Sequence, residues 1–303
     1  MKFPSKILLF GEYGLVVGGS GFAIPFPEYS GELKFHTVDK PEKGDQSQAN
    51  PTISHQSIQS FFNYLANNRD DFSFIDLDQF SSQLEQGLWF DSNIPNGYGL
   101  GSSGALVAAI YSAYKTDTVD NLGIVRKRLA AMEQYFHGSS SGVDPTVSYF
   151  QKPLLLQNLN NMELLTDWTL QKLGLSLFLV DTKTTSKTLS LVDWFKTQMQ
   201  KPTFKHYANT DFLSANQSII DKIVTGRQVS INDVLAVSHY QLDYLTPMIP
   251  ETFRKHFFAG LEKHDFAFKL CGSGGGGFML GITDKKEKFE SYCKSENLPF
   301  IQI

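Results

Sequence analysis

Near the amino end, apolar positions alternate with polar ones or gather in short blocks. KILLFGE, GFAIPFP and the alternating GELKFHTV predict three strands, and Gly18, Gly19 and Gly21 mark the turn region between the first two. From Asp39 to Thr52 the stretch DKPEKGDQSQANPT has no apolar period and reads as an exposed loop. In ISHQSIQSFFNYLANN the spacing changes to three and four residues, which predicts a helix. GLWFDSNIP predicts a strand that ends at Pro95, and the run from Ala105 to Ala113 predicts a helix. A further helix is expected from about Val119 to Phe136, then two short strands at TVSYF and PLLLQNL. LSLFLVDT reads as a buried strand, and helices are expected near 189–200, 208–225, 231–246 and 250–264. FAFKLCG and GFMLGIT are strands joined by SGGGG, and LPFIQI is the last strand. The fold class is therefore α+β in both halves. The character of the chain changes around Asp167–Lys172, so domains 1–168 and 169–303 are expected.

Composition narrows the function classes. Of 303 residues 41% are hydrophobic, 19% are charged and 25 are phenylalanine, which supplies a sizeable core and excludes wholesale disorder. The formal net charge is −4 and the pI is near 6.0, so a nucleic-acid partner is not expected. DKKEK, near the carboxyl end, reads as solvated surface. Cys271 and Cys293 make neither a disulfide framework nor a zinc site, which suits a reducing cytoplasm. Gly11 and Glu12 interrupt the first apolar run too early for a secretory segment, and no run is long enough to span a membrane. A cytoplasmic protein with a small-molecule partner is expected.

Three small-residue loops, at 96–104, 137–144 and 272–277, punctuate this pattern. In PNGYGLGSSGA the order is strand, glycine loop, helix start. Ser102 or Ser103 can cap that helix, where free N–H groups and the positive dipole end suit an anion, above all phosphate. Taken alone, the segment serves a structural turn equally well, and it is neither a dinucleotide fingerprint nor a Walker loop. Glu133 falls in the last turn of the preceding helix, where its charge opposes the dipole, and Asp144 stands next to Pro145. Each has an ordinary reading, as a solvated helix end and a turn residue. Beside a phosphate loop they make a plausible pair, one for a magnesium ion and one for a proton. Lys6, at the start of the first strand, is a third candidate.

These three loops resemble the three motifs of the GHMP kinases. PNGYGLGSSGA is similar to the family's P-x-x-x-G-L-G-S-S-A nucleotide loop, with Gly104 where alanine is usual. KLCGSGGGG is similar to K-L-T-G-A-G-G-G-G, and SKILLFGEYGLVVGG to the opening P-G-K-x-x-L-x-G-E-H-A-V-V-x-G. EQYFHGSSSGVD looks most like the mevalonate kinase stretch E-x-x-x-H-G-x-P-S-G-x-D. The resemblance implies a two-domain GHMP kinase fold, with a ribosomal-protein-like α+β nucleotide domain first and a ferredoxin-like α+β domain second. It implies ATP and Mg²⁺ as cofactors, Asp144 and Lys6 as the catalytic pair, and Ser103 and Glu133 as the metal ligands. It assigns Pro95, Gly97, Gly99, Leu100, Gly101, Ser102, Ser103 and Gly104 to the nucleotide. It assigns Glu12, Tyr13, His137, Gly138, Ser141, Ser186 (or Thr185), Gly272, Ser273 and Gly274 to the substrate. The implied reaction is phosphoryl transfer to mevalonate, and a homodimer is compatible with it. Tyr13 in place of histidine and Ser140 in place of proline depart from the mevalonate kinase pattern and leave phosphomevalonate kinase or another GHMP kinase as the alternative. A GHMP-fold ligand sensor without transfer is the reading from another class, and the presence of Lys6, Ser103, Glu133 and Asp144 together speaks against it.

Overall fold

A computed structural model describes residues 1–35, 51–159, 161–184 and 188–303. The chain forms two compact units that interleave along the sequence and so do not follow a single cut. The first comprises Met1–Lys6, Ile24–Pro95 and Gly101–Lys152, and the second Ile7–Ala23, Asn96–Leu100 and Pro153–Ile303. Strands β1 (Phe3–Phe10) and β2 (Gly21–Phe35) each contribute to both units.

In the first unit β2 pairs antiparallel with β3 (Leu88–Ser92), in a register that runs from Gly31 opposite Ser92 to Phe35 opposite Leu88. Around this edge stand α1 (Pro51–Asn67), α2 (Leu77–Glu85), α3 (Ser102–Tyr114), α4 (Leu122–His137) and α5 (Val143–Phe150). α3 is apolar nearly all round and is buried from Gly104 to Tyr111, as a helix without a polar face must be. Asn121 caps α4 by accepting a hydrogen bond from Ile124 N at 3.1 Å.

In the second unit Gly21–Ala23 of β2 pairs antiparallel with β4 (Leu154–Asn158), which pairs in turn with β5 (Asn161–Leu164). A separate four-stranded antiparallel sheet has the order β7-β8-β6-β9, with β6 at Ser176–Asp181, β7 at Phe266–Leu270, β8 at Phe278–Thr283 and β9 at Phe300–Gln302. The helices of this unit are α6 (Thr188–Gln198), α7 (Pro202–Tyr207), α8 (Leu213–Val224), α9 (Ile231–Tyr244), α10 (Glu251–Lys263) and α11 (Lys286–Ser295). Ser230 and Asp233 form a reciprocal capping box at the start of α9. Among the described residues no helix is long and apolar enough to cross a membrane.

The observed elements differ from the expected ones at several places. TVSYF, read as a strand, lies in helix α5: Gly142 enters the left-handed region at φ 73° and turns the chain into it, and Val143 and Val147 are buried. Tertiary burial here outweighs the β preference of the side chains. GFAIPFP and GELKF form one strand, not two. Pro25 and Pro27 fall between its pairings with β4 and β3, so neither ladder loses an N–H there. α2 and β5 were not anticipated. DKKEK is exposed or half-buried, as a solvated run should be, and it leads into α11, a helix that was not anticipated, where Phe289 and Cys293 are buried. The expected loop at 39–52 lies outside the described residues, apart from its last two, which begin α1.

Phe289 carries the packing of α11, with ring centroids 4.8 Å from Phe178, 5.4 Å from Phe266 and 5.5 Å from Phe268. Phe289→Ala should therefore destabilise the protein by about 3–5 kcal/mol in chemical denaturation, and Lys286→Ala on the same helix by less than about 0.5 kcal/mol. Equal effects would mean that α11 is not packed through this ring.

Candidate active site

Lys6 sits on β1, whose eight residues are all buried. Its Nζ lies 3.1 Å from Asp144 Oδ1, and Asp144 occupies the first turn of α5. The two side chains differ in access: Lys6 is 6% exposed and Asp144 32%, so the carboxylate is the member of the pair that solvent and a ligand can reach. α3 begins beside them. At Gly101, with φ 73°, a β-carbon would stand 3.0 Å from Asp144 Oδ2 and 3.2 Å from Lys6 Cγ. At Gly104 it would stand 2.8 Å from both Asp144 Cβ and Pro145 N, closer than carbon atoms approach. Helix α3 therefore reaches α5 only because neither position has a side chain.

The next residue group joins the same helix start to the end of α4. Ser103 Oγ donates to Glu133 Oε1 at 3.3 Å and lies 2.9 Å from His137 Nε2. With the serine proton on Glu133, the histidine N–H is the donor of the second bond. Ser140 Oγ donates to Glu133 Oε2 at 2.5 Å and accepts from Gly142 N at 2.9 Å, so it ties the carboxylate to the first turn of α5. Glu133 is 4% exposed. Burial first, and the charge of Asp144 second, push its pKa up from 4.5 to about 8, against the opposing pull of the two serine hydroxyls. Among the described residues no group of three His, Cys, Asp or Glu side chains forms a metal cage. Mg²⁺ does not require one, because phosphate and water complete its shell once one or two protein oxygens are in place. Glu133 and Ser103 fit that donor set: a buried carboxyl group, pushed toward its neutral form by burial, beside a hydroxyl oxygen.

In the second unit two glycine loops lie backbone against backbone. A β-carbon on Gly99 would stand 2.4 Å from the Cys271 carbonyl oxygen, and one on Gly277 would stand 2.5 Å from Tyr98 Cα. Thr182 Oγ1 and N both donate to the Gly277 carbonyl, at 2.7 and 3.0 Å. Glu12 does not stand in the open. Its Oε1 is 2.5 Å from Lys269 Nζ, and the two side chains are 2% and 0% exposed. The Tyr13 hydroxyl donates to the Ser273 carbonyl at 2.6 Å.

The expected site residues thus fall into two groups. Lys6, Asp144, Gly101, Ser102, Ser103, Gly104, Glu133 and His137 lie together in the first unit, with Gly138 ending α4 at φ 69° and Ser141 Oγ accepting from Val143 N at the start of α5. Glu12, Tyr13, Gly97, Gly99, Leu100, Gly272, Ser273 and Gly274 belong to the second unit, and Pro95 ends a segment of the first. Thr185 and Ser186 lie outside the described residues. Lys269 and Ser140 were not among the expected site residues. A lysine inside the otherwise apolar strand FAFKL was the available signal for the first, and the serine in place of proline was the signal for the second.

Residues 64–152 match the family model described as the GHMP kinases N terminal domain. No curated protein sequence matches the chain. Among solved structures, mevalonate kinase from Methanococcus jannaschii is similar with a TM-score of 0.64 at 18% identity, covering 100% of this chain and 96% of that one. The Streptococcus pneumoniae phosphomevalonate kinase in complex with phosphomevalonate and AMPPNP gives 0.67 at 16%, covering 100% and 99%. The L. major mevalonate kinase in complex with R-mevalonate gives 0.62 at 17%, covering 97% and 90%. Residues 64–152 thus match a GHMP kinases N terminal domain, and the α+β fold of the chain is similar to that of the solved mevalonate and phosphomevalonate kinases.

Proposed function

We propose that this protein is a cytoplasmic, ATP-dependent kinase that transfers the γ-phosphoryl group to the primary hydroxyl of mevalonate. The observation that carries the reading is the Lys6–Asp144 pair at 3.1 Å, next to the start of α3, where Ser103 and Glu133 are hydrogen-bonded. Support for mevalonate as the acceptor comes from the HGSSSGVD stretch. Tyr13 in the place of the usual histidine favours a second acceptor, phosphomevalonate.

Phosphoryl transfer asks the protein for positioning and charge neutralisation more than for covalent chemistry. In this reading Gly101–Gly104, at the amino end of α3, bind the nucleotide phosphates with backbone N–H groups and the helix dipole. Asp144, the exposed member of its pair, orients the acceptor hydroxyl and takes its proton. Lys6 offsets negative charge that grows on the transferred group, and it holds Asp144 in place from the buried side. Ser103 and Glu133 hold Mg²⁺, which when bound supplies positive charge to the phosphates. Ser140 and His137 fix the orientation of those two ligands through the hydrogen bonds described above.

Three outcomes test this. In a coupled assay, ATP should be consumed with Mg²⁺ only when an alcohol is added, and mevalonate should give the highest kcat/KM among mevalonate, phosphomevalonate, homoserine and simple sugars. A higher value for phosphomevalonate would move the assignment to the second acceptor. Asp144→Asn should lower kcat by about 10²-fold or more while KM for ATP stays within about threefold, since positioned acid–base groups contribute roughly 10² to 10⁴.

The third outcome concerns Glu133 and pH. Because the folded pKa lies above the ordinary carboxylate value, the folded state holds the extra proton between about pH 4.5 and 8. Stability from this group is thus fully present below pH 4.5 and is lost as pH rises through about 8. Glu133→Gln should remove that slope in metal-free protein and melt higher than wild type above pH 8 by a few degrees. The same substitution should weaken apparent Mg²⁺ affinity in the kinetic assay, with part of the lost rate recovered at high magnesium. An unchanged magnesium dependence would remove Glu133 from the metal site.

A further inference from the structure

By resemblance Tyr13 touches the substrate, but its surroundings give it different work. It is 5% exposed, its ring packs on Phe195 with centroids 4.9 Å apart, and its hydroxyl donates to the Ser273 carbonyl at 2.6 Å. Its backbone is left-handed at φ 59°, which a bulky residue adopts only when its surroundings hold it there. The preceding residue, Glu12, is ion-paired with Lys269, and Lys269 Nζ also donates to the Leu270 carbonyl at 2.7 Å. The turn that follows β1 therefore grips the entrance of the 271–277 loop at Lys269 and its interior at Ser273. A trans peptide is planar, with its C=O and N–H pointing in opposite directions. Holding the Ser273 oxygen thus sets the direction of the Gly274 N–H. The same loop fixes its neighbour, because the Cys271 carbonyl occupies the space that a side chain on Gly99 would need.

We infer that Tyr13, supported by the buried Glu12–Lys269 pair, is a positioning residue. It sets the peptide plane of Ser273–Gly274 in the glycine loop and makes no contact with the acceptor. The hydroxyl is the working part, since the ring alone already fills the space beside Phe195. This rests on the kinase reading only for its kinetic consequence. The geometric claim concerns the protein alone.

Tyr13→Phe keeps the ring and deletes the hydroxyl, and it should melt within about 2 °C of wild type. Hydrogen exchange on the ligand-free protein should quicken by about tenfold for peptides covering 271–277, with β7 and α10 unchanged, because the part-buried Ser273 carbonyl loses the Tyr13 hydroxyl as a donor. In the coupled assay kcat/KM for the acceptor should fall by about tenfold, because Gly272, Ser273 and Gly274, assigned to the substrate by resemblance, lose their set orientation. Unchanged exchange in 271–277 overturns the inference, and a raised acceptor KM together with that unchanged exchange is the signature of a direct substrate contact. Should wild type neither bind AMPPNP nor turn over, the kinase reading fails, and the exchange measurement still decides whether Tyr13 positions the loop.

Discussion

The amino end of α3 meets the first turn of α5 with no room for a methyl group at Gly104, and this close approach organises the first unit. It brings the helix start within reach of Asp144, and Asp144 in turn pairs with Lys6 on a buried strand. Because α3 is apolar on almost every side, it cannot retreat toward solvent without exposing a core helix. The packing of α3 and the placement of the carboxylate are therefore one constraint. A side chain at Gly104 would move both together.

Charge is the second organising element. Four charged side chains with roles in the candidate site or its support are buried, namely Lys6, Glu12, Glu133 and Lys269. A buried charge must be paired or neutralised. Lys6 and Lys269 take the first course, with Asp144 and Glu12. Glu133 takes the second, held by two serine hydroxyls and a raised pKa. The difference separates the two supporting lysines from the one group whose charge state a cation would change.

Much of this was legible in the chain, and what was not has a common cause. Lys6, Ser103, Glu133 and Asp144 stand in short motifs whose spacing follows from local structure, and all four come together in one unit. Glu133 announced itself as a charge on the wrong end of a helix. The role of Glu12 was hidden because its partner lies 257 residues further on, and no local pattern encodes such a pairing. Helix α5 was misread for a related reason: Val, Thr, Tyr and Phe favour strands, and only burial of Val143 and Val147 decides otherwise. The fold class was secure from periodicity, whereas the helix inside a charged run needed its two apolar anchors, Phe289 and Cys293, to be seen as one face.

The grip of Tyr13 on Ser273 spans 260 residues, and that of Glu12 on Lys269 spans 257. Its consequence is one of timing. A chain emerging from the ribosome presents Glu12 257 residues ahead of Lys269. Until then Glu12 has no lysine to meet, and the turn must wait in water with its carboxylate solvated. Closing so long a loop carries its entropic cost before any contact repays it, which places this step late in folding. The second unit can complete itself only after β7 and its loop have been made, and any truncation before β7 leaves the turn after β1 with nothing to hold.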